Sequence, residues 1–235
     1  MNEVNLSDRL LRVANHVPQG AKVADIGSDH AYLPCYLCLE GIIDAGVAGE
    51  VNEGPFQSAL SQVKKVGLEQ QIEVRKGNGL EVIEQGEVDV ITIAGMGGPL
   101  IRTILDEGKD KLNGVKKLIL QPNIAADKLR IWLKDQSWAL VSEEIFEEDE
   151  KIYELLIAEK GDGSRPYEED LETEFLLGPY LMREKNAAFR KKWDHELANW
   201  KKVLSQFEHA QHTPEMIAKK ADLQRKIDKV EEVLS

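Results

Sequence analysis

The alternation of apolar and polar positions divides this chain in two. Residues 6–17 open it as a helix, with Leu6, Leu10, Ala14 and Val17 at helical spacing, Asn5 or Ser7 as cap, and Pro18-Gln19-Gly20 as stop. Short apolar runs then recur at 22–26, 45–51, 72–75, 88–94 and 118–120. Helical stretches lie between them: one reaching about residue 39, one carrying Phe56, Leu60, Val63 and Val66, one after Pro99, and one over 125–135. Strand and helix thus alternate five times, which predicts an α/β fold with a mostly parallel, doubly wound sheet. The run 88–94 (VDVITIA) is apolar enough for the centre of that sheet. Two further strands, 138–145 and 152–158, are separated only by the acidic turn Glu147-Glu148-Asp149-Glu150. Without a crossover helix they pair as an antiparallel hairpin, so the sheet ends in a terminal antiparallel strand.

The second part begins after a linker by composition, Gly161-Asp162-Gly163-Ser164-Arg165-Pro166. Phe189, Trp193, Leu197, Trp200, Leu204 and Phe207 then recur at helical spacing, as do Met216, Leu223, Ile227, Val230 and Leu234. Thr213-Pro214 marks a helix start. Two long helices joined through His209 to His212 predict an antiparallel helical hairpin with a coiled-coil-like seam. The expected domains are 1–160 and 161–235, and Trp193 and Trp200 read as core of the second.

Charge changes this picture modestly. The net charge is −12, which argues against general affinity for nucleic acid, yet residues 1–160 carry −10 while 175–235 carry +3. No run of about 18 apolar residues and no basic, greasy leader is seen, so a cytoplasmic protein without a membrane partner is expected. Cys35 and Cys38 are spaced C-x-x-C, but no second pair completes a zinc site, and they read as reduced, buried thiols. No metal is expected.

Candidate chemistry lies at the carboxyl ends of the strands, where doubly wound sheets bind ligands. Those ends read Asp25-Ile26-Gly27-Ser28-Asp29, Glu50-Val51-Asn52, Gly77-Asn78-Gly79, Ala94-Gly95-Met96-Gly97-Gly98 and Gln121-Pro122-Asn123. Gly27 allows a sharp turn and close approach of a ligand to the backbone. Glu50 falls 23 residues beyond Gly27, where an acid suits a ribose diol. The first turn has neither G-x-G-x-x-G nor a Walker lysine, and Asp25 and Asp29 would repel a pyrophosphate. They suit a cationic ligand with a ribose and an ammonium group, which favours S-adenosylmethionine over NAD or ATP.

Five stretches carry a closer resemblance: 23–34 (VADIGSDHAYLP), 49–55 (GEVNEGP), 75–80 (RKGNGL), 93–99 (IAGMGGP) and 118–123 (LILQPN). Together with the helical tail they resemble the bacterial TrmK family, tRNA (adenine(22)-N1)-methyltransferases with a Rossmann-like class I S-adenosylmethionine-dependent domain. The resemblance implies that Asp25, Gly27 and Ser28 shape the methionine end of the cofactor pocket, and that Glu50 takes the ribose hydroxyls beside Val51. It also implies that Asn78 and Gly79 meet the cofactor's adenine, and that Ala94, Gly95 and Met96 close the side nearest the methyl group. The stretch 95–98 departs from the Asp/Asn-Pro-Pro-aromatic signature of amino-methylating relatives, and offers no side-chain acceptor for an amine.

Adenine N1 has an in-plane lone pair, so attack on a sulfonium methyl requires alignment rather than a base. Asp29 is the candidate catalytic residue, accepting from the adenine amino group; a helix cap is its plainer alternative. Tyr32 is a candidate for stacking on the base, which must be unpaired to expose N1. Arg9 and Arg12, with Arg190, Lys191 and Lys192 in the basic stretch 181–202, form the candidate tRNA surface. The alternative for that stretch is a solvated helical face. His30 and His195 read as structural. A monomer is expected. Two other functions stay open on the residues alone: methylation of another RNA, a small molecule or a protein, and RNA binding without turnover.

Overall fold

The first helix, α1 (Asp8–Asn15), is capped by Ser7, whose hydroxyl accepts from the Leu10 amide at 3.3 Å. The computed structural model describes residues 5–207 and 213–235, so the expected joint at 209–212 lies outside the described residues. Then follow β1 (Val23–Ile26), α2 (Tyr32–Leu39), β2 (Gly46–Glu50), α3 (Glu53–Lys65), β3 (Ile72–Lys76), β4 (Val90–Met96), α4 (Gly98–Glu107), β5 (Lys117–Pro122) and α5 (Ala126–Asp135). The hairpin β6 (Trp138–Glu148) and β7 (Lys151–Lys160) completes the sheet.

Seven strands run in the order β3-β2-β1-β4-β5-β7-β6. The first five pair in parallel, and β7 is antiparallel to both β5 and β6. The antiparallel strand therefore lies inside the sheet, and β6 is the edge. A hairpin allows this inversion, because the chain passes out along β6 and returns along β7 to fill the gap beside β5. Alternate residues of the central strands feed opposite faces. Ile91 and Ile93 pack with α4 and α5 residues Ile101, Leu105, Leu129 and Leu133, while Val90 and Ile119 pack with Val13, Leu33 and Leu37. With both faces covered, the strand ends are left as the exposed polar rim.

The remaining chain forms α6 (Leu171–Leu177), α7 (Pro179–Glu184), α8 (Ala187–Phe207) and α9 (Pro214–Leu234). The end of α9 returns to the start of α8: Lys185 donates to the Val233 carbonyl at 2.5 Å and Arg190 to that of Leu234 at 3.5 Å. Phe189, Trp193, Leu197, Ile227 and Val230 share one buried cluster with Ile145 of β6. Among the described residues no helix is long and apolar enough to cross a membrane.

A buried ionic knot fastens these helices to the sheet. Arg130 of α5, with no exposed surface, donates to Glu143 at 2.6 Å and to Glu154 at 2.5 Å, and also to the Phe175 carbonyl at 3.0 Å. Glu143 accepts the Tyr180 amide, and Glu154 accepts Lys192 of α8. Gly178 passes directly over this pair, at φ +89°, where a Cβ would fall 2.7 Å from the Arg130 guanidinium. Burial pushes Glu143 up. Burial also acts upward on Glu154, but Lys192 and Arg130 outweigh it and hold that carboxyl at about 2. Arg130→Ala should therefore cost about 3–5 kcal/mol in urea unfolding, since two buried carboxylates lose their shared partner. A loss below about 1 kcal/mol would show that the knot does not join the two halves.

Candidate active site

The ends of β1, β2, β4 and β5 converge on one edge of the sheet. The amides of Gly27 and Ser28 both donate to the Gly49 carbonyl, at 2.9 and 3.2 Å, which ties the first turn to the end of β2. Gly27 takes φ +69°, which L side chains rarely adopt, and the methyl end of Met96 lies against it, so a larger residue would strain the backbone and displace Met96. Asp25 is buried beneath this turn and accepts hydroxyls from Ser28 at 2.6 Å and Thr92 at 2.7 Å. Burial pushes its carboxyl up, against the pull of those two hydroxyls and of Arg9. Asp25 thus positions Ser28 rather than facing solvent. Glu50, also buried, accepts the Asp29 amide; burial pushes it up, and that amide works in the other direction.

Asp29, His30 and Ala31 all have positive φ, at 40°, 21° and 52°. Three consecutive residues in a sparsely populated region are a strained turn, tied to Glu50 through the Asp29 amide. Ala31 occupies the N-cap of α2, and no side chain caps the helix. The capping alternative for Asp29 is therefore removed, and its carboxylate is 71% exposed beside the pocket edge. His30 stacks on Tyr32 with ring centroids 5.2 Å apart, so the two rings form one aromatic surface and Tyr32 does not stand alone. Val51 is exposed after β2. The Asn78 amide donates to Glu81 at 2.9 Å, and Gly79 abuts Ile104.

The end of β4 is a bulged loop clamped to the end of β5. The register shifts between Ala94 and Met96. Gln121, fully buried, accepts the Gly95 amide at 3.0 Å and Arg9 at 2.8 Å, while its own amide reaches Asn123 at 3.3 Å. Asn123 donates through its side chain to the Gly95 carbonyl at 2.8 Å and through its backbone to Met96 at 2.7 Å. The Gly98 amide donates to Ile124 at 2.9 Å. Gln121, Asn123 and Thr92 were not assigned roles from the sequence. The polar pair closing an apolar strand, LILQPN, is the signal that marks the first two.

The expected RNA surface is less open than its charges suggest. Arg9 points into the site, bonded to Gln121 and 5.6 Å from the Tyr153 ring. Arg12 is held by Asp8 and Glu144, each at 2.8 Å, and covers Phe146. Lys191 pairs with Glu147 at 2.6 Å, an exposed pair that a phosphate can displace. Lys192 pairs with the buried Glu154, and freeing it would strand a buried charge, so it is structural rather than a phosphate contact. Cys38 is half-buried with its thiol pushed by burial to about 11; Cys35 is buried, and the two form no disulfide. No group of three or more His, Cys, Asp or Glu is gathered as a metal site among the described residues.

A strand order of 3-2-1-4-5-7-6 with strand seven inverted, an acid-flanked glycine turn and an acid closing the second strand define a class I S-adenosylmethionine-dependent methyltransferase. The family model for TrmK, tRNA (adenine(22)-N(1))-methyltransferase, matches residues 23–232, and the chain belongs to that family. It is 50% identical over 235 residues to the tRNA (adenine(22)-N(1))-methyltransferase of Bacillus subtilis, covering 100% of this chain and 99% of the relative. The crystal structure of the B. subtilis M1A22 tRNA methyltransferase TrmK superposes with a TM-score of 0.96, at 49% identity over 99% of this chain and 100% of that one. A Streptococcus pneumoniae putative tRNA (m1A22) methyltransferase in complex with S-adenosyl-L-methionine superposes at 0.87, with 43% identity over 98% and 100%.

Gln121→Leu should leave the Gly95 amide and Arg9 without their acceptor. It is expected to lower stability by about 1–3 kcal/mol in urea unfolding, whereas Gln121→Glu, which keeps an acceptor oxygen, should lose less. Equal losses would show that shape alone matters at this position.

Proposed function

We infer that the chain transfers the methyl group of S-adenosylmethionine to N1 of adenine 22 in tRNA. The observation that carries this reading is an acid-lined cofactor cradle facing an acceptor loop, residues 95–98, that holds no side-chain base. The cradle fits the cofactor on its own chemistry. Buried Asp25 and Glu50 give it negative character suited to a sulfonium and an ammonium. When bound, the cofactor supplies an electrophilic methyl group.

The chain's own residues then align and shield. Ser28, fixed by Asp25, and Gly27 hold the methionine end. Glu50, with its carboxylate oriented by the Asp29 amide, takes the ribose hydroxyls beside Val51. Asn78 and Gly79 meet the cofactor's adenine. Ala94, Gly95 and Met96 wall the methyl side, held rigid by Gln121 and Asn123. Asp29 accepts a hydrogen bond from the target's exocyclic amine and stabilises the positive charge that develops on the ring. No proton leaves N1, because the attacking pair is already free. The His30–Tyr32 surface supports the extruded base. Arg190 and Lys191 supply exchangeable phosphate contacts. Residues 1–160 act as the methyl-transfer domain and 161–235 as a helical RNA-binding domain, in a cytoplasmic monomer.

Incubation with labelled cofactor and unmodified tRNA should place the label at adenine 22 and block reverse transcription there. Label on another base, or none, would overturn the reading. Asp29→Ala should lower turnover by about 10²-fold with cofactor Kd unchanged. Near-normal turnover would remove Asp29 from the reaction.

A further inference from the structure

A cavity beside the acceptor loop is distinct from the cofactor cradle. It lies between the end of β5 and helix α8, with a volume of about 470 Å³. Asn123, Ile124 and Ala125 form one wall, and Trp193, His195 and Trp200 the other. We propose that it is a nucleobase-binding subsite, which takes a second, unstacked base of the tRNA while the target adenine lies at the methyl donor. The proposal rests on tRNA being the acceptor.

Three features select this occupant. First, the wall and the acceptor loop are one rigid unit. Asn123 is bonded to Gly95 and Met96, and Gly98 to Ile124, so whatever seats against 123–125 is held in register with the methyl-transfer site. Second, the lining suits a flat aromatic body. Ile124 is 69% exposed although it is a large apolar residue, and Trp200 packs T-shaped on Trp193 at 6.0 Å. Bases stack on such side chains irrespective of sequence. Trp193 is itself buried, and its indole N–H meets no acceptor among the described residues. Third, the charges disfavour a phosphate. Asp127, Glu150, Glu154 and Glu196 line the cavity, and its two lysines, Lys191 and Lys192, are already paired with Glu147 and Glu154. The nucleobase enters and the phosphate backbone stays outside.

A base-extruding enzyme gains from such a site. Opening a helical arm to expose N1 leaves neighbouring bases unstacked, and capture of one of them offsets part of that cost. It also fixes the arm at two points rather than one.

The test uses the full chain, tRNA transcripts each bearing one abasic substitution in the arm that carries the target, and the variants His195→Ala, Trp200→Leu and Ile124→Ala. His195 and Ile124 are exposed, so those two variants keep the fold even if Trp200→Leu loosens the helical core. The expected result is a Kd for tRNA raised about tenfold in each, with cofactor Kd unchanged. One abasic position should weaken wild type by a similar factor and have no further effect on the variants. Unchanged Kd in all three, or additive losses at every abasic position, would overturn the subsite. A concentration-dependent dimer lost in Ile124→Ala would assign the cavity to a second copy of the chain, and would also overturn it. None of these outcomes touches methylation of adenine by wild type, so the subsite can fail while the reaction stands.

Discussion

Arg130 is the residue on which the arrangement of this molecule depends. Its guanidinium lies where α5, both strands of the hairpin and the C-terminal helices meet. With Lys192 it balances Glu143 and Glu154, so the knot is neutral, and hydrogen bonds from the Tyr180 amide and to the Phe175 carbonyl use groups that would otherwise be buried idle. Buried ion pairs contribute little net stability compared with an apolar substitute, because desolvation consumes the Coulombic gain. What this one contributes is geometry. It fixes α8 relative to β5, and so sets the wall of Trp193 and Trp200 opposite the wall of Asn123 and Ile124.

A second, smaller clamp transmits that geometry to the site. Gln121 and Asn123 hold both backbone groups of Gly95, and Gly98 hangs from Ile124. The acceptor loop has no side chain of its own to anchor it beyond Met96, so its shape comes from the neighbouring strand. Asp25 serves the first turn in the same manner, through Ser28. The polar residues of the site divide accordingly into a buried set that shapes backbone and an exposed set that includes Asp29.

Much of this was readable in the chain. Apolar runs and period-3.6 patterns located the main strands and helices to within a few residues, because a sheet covered on both faces demands continuous apolar strands. The glycines and acids at 25–29, 49–50 and 95–98 marked candidate chemistry at strand ends, and the structure brings those ends to one edge of the sheet. Position in space was harder. The hairpin was evident, but nothing in a sequence of two adjacent strands says which becomes the edge, and the inverted strand proved interior. Short helices α6 and α7 were merged into one helical tail, because six or seven residues are too few to display a period. Charge misled most. Arg12 and Lys192 resemble surface cations until the carboxylates from distant strands, Glu144 and Glu154, are seen beside them. Arg130 gave no local sign of burial, since its partners are 13 to 46 residues away.

The chemistry rests on alignment: the chain aligns a ring nitrogen that already carries a free pair, and removes no proton. The most direct measurement is the single-turnover rate of methyl transfer with saturating enzyme, followed across pH about 6 to 9, where adenine N1 in an unpaired base is neutral. The rate should be independent of pH in that range, with the label at N1. A rate that climbs with a slope of one on a logarithmic scale would mean that a proton must leave before or during attack, and would contradict alignment as the source of catalysis.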